Sequence, residues 1–170
     1  MNKFKILAQV VFLTFLLCCF DNKDMPRAAE SMTIEPTLII TREDAKALTG
    51  VSFDECVVKE QPAVGLKLCV YEKDDAFLQL GLTQPKKGEK NTPESIYNSI
   101  KGAFKDAAKI EGLGDDNFIA PPGLHIMKDG YYITISLGLM NRDREKLNVA
   151  GMKAVQNLNN YAQKKEQTSR

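Results

Sequence analysis

The chain has 170 residues, 44% hydrophobic and 26% charged, with 23 basic and 22 acidic side chains and a formal net charge of +1. This balance bounds it to one domain or two very small ones, argues against wholesale disorder, and removes the electrostatic case for a nucleic-acid partner. One His and no Trp exclude a multi-His metal site and a pair of His acting as acid and base.

Lys3 and Lys5 open the chain, and Ile6 to Leu17 is apolar except for Gln9 and Thr14. A charged start followed by about a dozen apolar residues matches a secretory signal, and the run is shorter than the roughly 20 residues a membrane span needs. An uncleaved anchor or a buried helix is the alternative reading of the same run. Leu16-Leu17-Cys18-Cys19 ends it and resembles the lipobox of bacterial lipoproteins, with Cys19 as the acylated residue and residues 1–18 as the signal peptide. Cys18 is the alternative acceptor, and Leu17 and Cys18 depart from the small residues the lipobox prefers. Cleavage removes two lysines and no acid, so 21 basic side chains face 22 acids and the net charge becomes −1. Residues 19–36 comprise the attachment Cys and a mixed polar stretch without periodicity, read as a flexible tether. Its random-chain reach is on the order of 20–25 Å.

The domain is expected over 37–165, with a disordered tail at 166–170. Thr41 caps a first helix, Glu43 and Asp44 fill its first turn, and Gly50 stops it. Strands are expected at about 53–59, 66–72 and 76–83. Cys56 and Cys69 are an even pair in a chain bound for an oxidising compartment, and their spacing suits a structural disulfide better than a zinc site or a C-x-x-C redox pair. Pairing Glu60 with Gly65 sets Cys56 opposite Cys69. A three-residue connection at Lys73–Asp75 sets Leu66 opposite Leu82, Leu68 opposite Leu80 and Val70 opposite Leu78, and is preferred to a two-residue turn, which would pair Val70 with Gln79 and mix the faces. That register gathers the aliphatic residues on one face and leaves Tyr71 and Phe77 on the other.

Gln84 to Pro93 reads as a loop. Thr92-Pro93-Glu94 opens a second helix whose apolar side is Ile96, Tyr97, Ile100, Phe104, Ala107 and Ala108, with Gly112 and Gly114 ending it. Strands follow at about 117–120, 123–128 and 131–138, the last two joined by an Asp129-Gly130 hairpin turn. A final helix runs from about Arg142 to Lys164. The order αβββ-αβββ-α points to an α+β fold with an internal duplication. The expected sheet is antiparallel, of about six strands, with the helices on one face and the other face solvated.

Four features bear on chemistry. Gly112-Leu113-Gly114-Asp115-Asp116-Asn117 has oxygen ligands but lacks the spacing of a calcium loop, so a helix stop and turn accounts for it. His125 has no acid placed to orient it and no nucleophile elbow nearby. Lys86, Lys87 and Lys90 form a solvated charge run. Tyr71, Phe77, His125, Met127 and Tyr132 share the mixed face and make the candidate binding surface, unless the tether, a loop or a helix covers them. No catalytic residue, metal or cofactor is expected.

The pattern Leu38-Ile39-Ile40-Thr41…Ala45…Leu48-Thr49-Gly50, Cys56…Cys69-Val70-Tyr71, Gly112-Leu113-Gly114-Asp115 and Gly130-Tyr131-Tyr132-Ile133-Thr134-Ile135 resembles uncharacterised bacterial envelope lipoproteins. The resemblance spans about residues 38–160 and its motifs are structural. It implies a disulfide and a sheet-plus-helix domain, and no established activity. The expected protein is a non-enzymatic lipoprotein facing the periplasm from either membrane of the envelope. It binds an envelope protein, a peptide or a small ligand through the mixed face. A hydrolase using His125, or a thiol-redox enzyme using Cys56 and Cys69, is the competing reading.

Overall fold

The computed structural model describes residues 34–86, 90–138 and 143–168. The expected signal peptide, Cys18, Cys19, the expected tether as far as residue 33, and Lys87 lie outside the described residues. Among the described residues, no helix is long and apolar enough to cross a membrane.

Helix α1 is Arg42–Thr49. The Thr41 hydroxyl accepts from the Asp44 amide and the Asp44 carboxylate accepts from the Thr41 amide, both at 3.1 Å, a reciprocal cap that satisfies two orphan donors. Gly50, at φ +78°, ends the helix in the left-handed conformation. Strands β1 (Val57–Gln61), β2 (Leu66–Lys73) and β3 (Ala76–Thr83) follow as a meander. Helix α2 is Pro93–Ala103, capped by Thr92. Strands β4 (Asp116–Ala120), β5 (Gly123–Lys128) and β6 (Tyr131–Ser136) form a second meander, and α3 (Arg144–Thr168) closes the chain. The six strands make one open antiparallel sheet in the order β1-β2-β3-β6-β5-β4, so the meanders meet through their third strands. The fold is α+β, and the repeated αβββ order is visible as two half-sheets related about the β3–β6 pair.

One side of the sheet carries Leu78, Leu80 and Leu82 of β3, Leu124 and Ile126 of β5, and Ile133 and Ile135 of β6, all fully buried. Helices α1 and α3 cover this side with Ala45, Leu147, Ala150, Ala154 and Leu158. Gly151 permits the close approach, because a Cβ there would stand 2.7 Å from side-chain carbons of Leu113 and Leu124.

The helices do not all lie on one face. Helix α2 packs on β5 and β6 from the opposite side, where Tyr97 joins Phe118, Ala120, Met127 and Tyr132 in a second buried cluster. The physical reason is the aromatic content of that face. Phe118, Met127 and Tyr132 present too much apolar surface to leave wet, and the one-sided stripe of α2 needs a partner of its own. The helix also ends earlier than expected. Phe104 leaves helical dihedrals, Ala108 bridges to Ile119, and Ile110 is held by Asn117.

The β2–β3 turn has two residues, not three. Lys73 pairs with Ala76, and Asp74 adopts φ +53°, a conformation Asp tolerates better than most side chains. The register therefore places Lys67 opposite Leu82, Cys69 opposite Leu80 and Tyr71 opposite Leu78. One residue of slip moves every β2 side chain to the other face. The β1–β2 register also shifts, by two residues, so that Val58 stands opposite Cys69. Cys56 precedes the strand and still forms the disulfide with Cys69, at a Cα separation of 5.6 Å. Closing a loop of that length contributes about 3 kcal/mol in the chain-entropy model.

Packed structure begins before residue 37. Ile34 is buried, and its amide and carbonyl bond to both ends of the Gln84 carboxamide, at 3.0 and 2.8 Å. Lys67, buried beside it, pairs with Glu35 and Glu60. At the other end α3 runs to Thr168, so most of the expected tail is helical.

Candidate functional site

The five residues expected to share a binding face fall into three environments. Tyr71 lies on the aliphatic side, 2% exposed, and its hydroxyl donates to the Ile40 carbonyl at 2.9 Å. The one-residue register slip put it there. His125, Met127 and Tyr132 do lie on the mixed face, but α2 covers them, leaving them 2%, 8% and 4% exposed. Phe77 alone of the five is half-buried on the mixed face outside that cover. The five do not form one exposed patch.

His125 sits in a layered aromatic site. Its ring stacks on Phe118 with centroids 4.4 Å apart and planes 4° from parallel. Nδ1 lies 2.7 Å from the Tyr132 hydroxyl and Nε2 lies 3.2 Å from the Ala120 carbonyl. A carbonyl can only accept, so Nε2 carries a hydrogen, and in the neutral ring Nδ1 then accepts from the Tyr132 hydroxyl. Burial pushes the His125 pKa below its ordinary value, against the opposing pull of the Ala120 and Pro121 carbonyls. A neutral imidazole with both nitrogens engaged has no free position for acid–base work on a substrate.

The rim of this cluster is charged. Asp116 pairs with Lys101 and with Lys109, the latter at 2.9 Å. Burial alone would raise the Asp116 pKa, but the two lysines beside it outweigh that and hold it at about 2. The Tyr97 hydroxyl is buried beside this carboxylate, and its burial first and Asp116 second push its pKa up. The Gly112–Asn117 turn is accounted for locally. Asp115 accepts from the Asp129 amide at 2.7 Å, and Asn117 bonds Ile110 and Leu113 with both ends of its carboxamide. Among the described residues, no cluster of three or more His, Cys, Asp or Glu could hold a metal ion. A shallow, open recess of about 490 Å³ between Ile110, Glu111, Arg144, Glu145 and Asn148 mixes both charge signs and brings no nucleophile and base together.

Among the described residues, no helix covers the other half of the mixed face. The register sets Val57 beside Val70, Val70 beside Gln79, Leu68 beside Gly81 and Leu66 beside Thr83. Leu66, Leu68, Val70 and Phe77 are half-buried, Val57 is 60% exposed, and none of them joins either buried cluster among the described residues. Gly81 keeps this surface flat, since a Cβ there would clash with the Thr134 hydroxyl and crowd Leu68. The row Leu66, Leu68, Val70 escaped the sequence reading because a three-residue turn buried it. The usable signal was Asp74-Asp75, a pair of residues suited to a two-residue hairpin connection.

Comparison of the chain with protein-family models, with curated proteins and with solved structures finds no match.

Proposed function

We propose that the chain is a non-enzymatic lipoprotein of the bacterial cell envelope. Cys19 would carry the lipid, and the domain would face the periplasm. It would bind a protein, peptide or small ligand through the mixed sheet face, in the half over β1–β3. The observation that carries the binding reading is the contiguous apolar row Leu66, Leu68 and Val70, flanked by Val57 and Phe77, on the face of this half-sheet over which neither buried cluster of the described residues places a helix. Its counterpart over β4–β6 is covered by α2. Contiguous apolar surface on a folded domain marks contact sites more often than isolated exposed residues do. The lipid anchor rests on the charged start, the apolar run and the Cys pair that follows it.

The enzymatic reading has less support. His125 is closed in and neutral, and Cys69 is fully buried, which restricts thiolate attack on the Cys56–Cys69 bridge. The test is site-specific photocrosslinking in intact envelopes. A photoreactive residue at Val70 should capture a discrete partner, a capture lost on Leu68→Glu, while the same residue at Met152 on the solvent side of α3 should capture none. Equal capture at both positions, or none at Val70, would contradict the proposal.

A further inference from the structure

We propose that α2 is a pH-released cover: protonation of His125 frees this helix from β4–β6 while the α1–α3 side of the domain stays folded. The geometry of the neutral ring carries the inference. Nε2–H donates to Ala120 and Nδ1 accepts from Tyr132, so a second proton on Nδ1 would set donor against donor. Tyr132 would have to turn its hydrogen away, and the new charge would stand in a stack of aromatic rings.

The groups around the ring offer no compensation. From β4 come Phe118 and the Ala120 carbonyl, from the following turn the Pro121 carbonyl, from β5 Met127, from β6 Tyr132, and from α2 Tyr97. Among the described residues, the charged groups at this cluster are Lys101, whose ammonium lies 5.7 Å from the Tyr97 ring centre, and Asp116, which Lys101 and Lys109 already neutralise, while Glu94 in the first turn of α2 is exposed to water. No carboxylate is hydrogen-bonded to the imidazole among the described residues. The protonated ring is therefore better solvated when the cluster opens. Docking of α2 is complete above the ordinary His pKa of about 6.5 and weakens as pH falls through it.

Release would be local because the two buried clusters lie on opposite sides of the sheet. The described residues on either side of α2 are irregular, and downstream the chain is fixed independently by the Ala108–Ile119 bridge and the Ile110–Asn117 bonds. Opening would uncover Phe118, Met127 and Tyr132 and extend the accessible sheet face beyond β1–β3. This inference is independent of what, if anything, binds that face.

Hydrogen exchange on the purified protein tests it. After correction for the intrinsic pH dependence of exchange, α2 amides should exchange on the order of tenfold faster at pH 5.0 than at pH 7.5, with α3 unchanged. The double replacement His125→Phe with Tyr132→Phe removes both partners and should abolish the acid response. Tyr132→Phe alone, which retains the imidazole, should keep it. The chain holds one His, so its Cε1–H proton gives an NMR signal that no other histidine can be confused with. That signal should change with pH together with α2 exchange. Acceleration shared equally by α3, an α2 that stays protected at pH 5.0, an acid response surviving in the double variant or lost in Tyr132→Phe, or a ring that titrates near 6.5 with α2 still protected would each overturn the proposal.

Discussion

At the scale of single residues, the polar side chains that matter hold backbone in place. Gln84 is the clearest case, being 4% exposed with its carboxamide pairing both the amide and the carbonyl of Ile34. Gln84→Ala should cost about 1–3 kcal/mol in urea unfolding, because it strands two buried backbone groups. Lys67→Met should cost less, since the methylene stem is kept and the released Glu35 and Glu60 are half in water. The titrating groups fix the shape of stability against pH. Asp116 sits at about 2 in the fold, where Lys101 and Lys109 outweigh its burial, against about 3.8 unfolded. Its contribution is therefore present above about pH 4 and is lost as pH falls toward 2. His125 is also depressed, so its neutral-form contribution fades below about pH 6.5. Urea midpoints measured from pH 7.5 to 2.5 should fall in two steps, and Asp116→Asn should shrink the lower one. Asp44 also contributes to that step, since its burial is outweighed by the Thr41 and Asn157 hydrogen bonds that lower its pKa.

At the scale of elements, a single residue of register decides which side chains are core. The capped helix α1, the Asp129-Gly130 hairpin and the alternation of β3 were legible from the sequence because each depends on local chemistry: a Thr hydroxyl, two positive-φ positions and a period of two. The position of β2 was not, because it turns on whether Asp74 enters the left-handed region. The side chosen by α2 was not legible either, since its apolar stripe is compatible with either face of the sheet. Mutations read the register directly. Leu80→Ala and Ile133→Ala should each lose roughly 2–5 kcal/mol as cavities open. Tyr71→Ala should now match or exceed them, because Tyr71 is buried against Phe53 and the Ile40 carbonyl. Leu68→Ala, on the half-buried row, should lose less than about 1.5 kcal/mol. Reversal of the Tyr71 and Leu68 results in guanidinium unfolding would restore the register expected from a three-residue turn.

At the scale of the whole molecule, two like meanders are covered unlike. Helices α1 and α3 close the aliphatic side across the central strands, whereas among the described residues only α2 is placed on the mixed side, over β4–β6. The sheet edges differ in the same way. The β4 edge is bridged by Ala108, while β1 presents Val57 and Val58 at 60% and 40% exposure. Lys59 and Glu60 on β1 guard against open-ended pairing. The proposed anchor belongs to this scale as well. Cys19→Ala should abolish acyl labelling and leave uncleaved or mis-sorted precursor. Labelling that survives in Cys19→Ala and is lost in Cys18→Ala would move the acceptor by one residue, and an unlabelled native chain would end the lipoprotein reading.

The central claim is that, among the described residues, the mixed face is open over β1–β3 and closed over β4–β6. The most direct measurement is the rate at which a water-soluble maleimide labels single introduced thiols in the native protein at pH 7.5, with the Cys56–Cys69 bridge intact. Leu68→Cys should label within minutes, while Met127→Cys and Leu80→Cys should label only after unfolding. Protection of Leu68→Cys to the level of Met127→Cys would contradict the account, because it would mean that the row over β1–β3 is core.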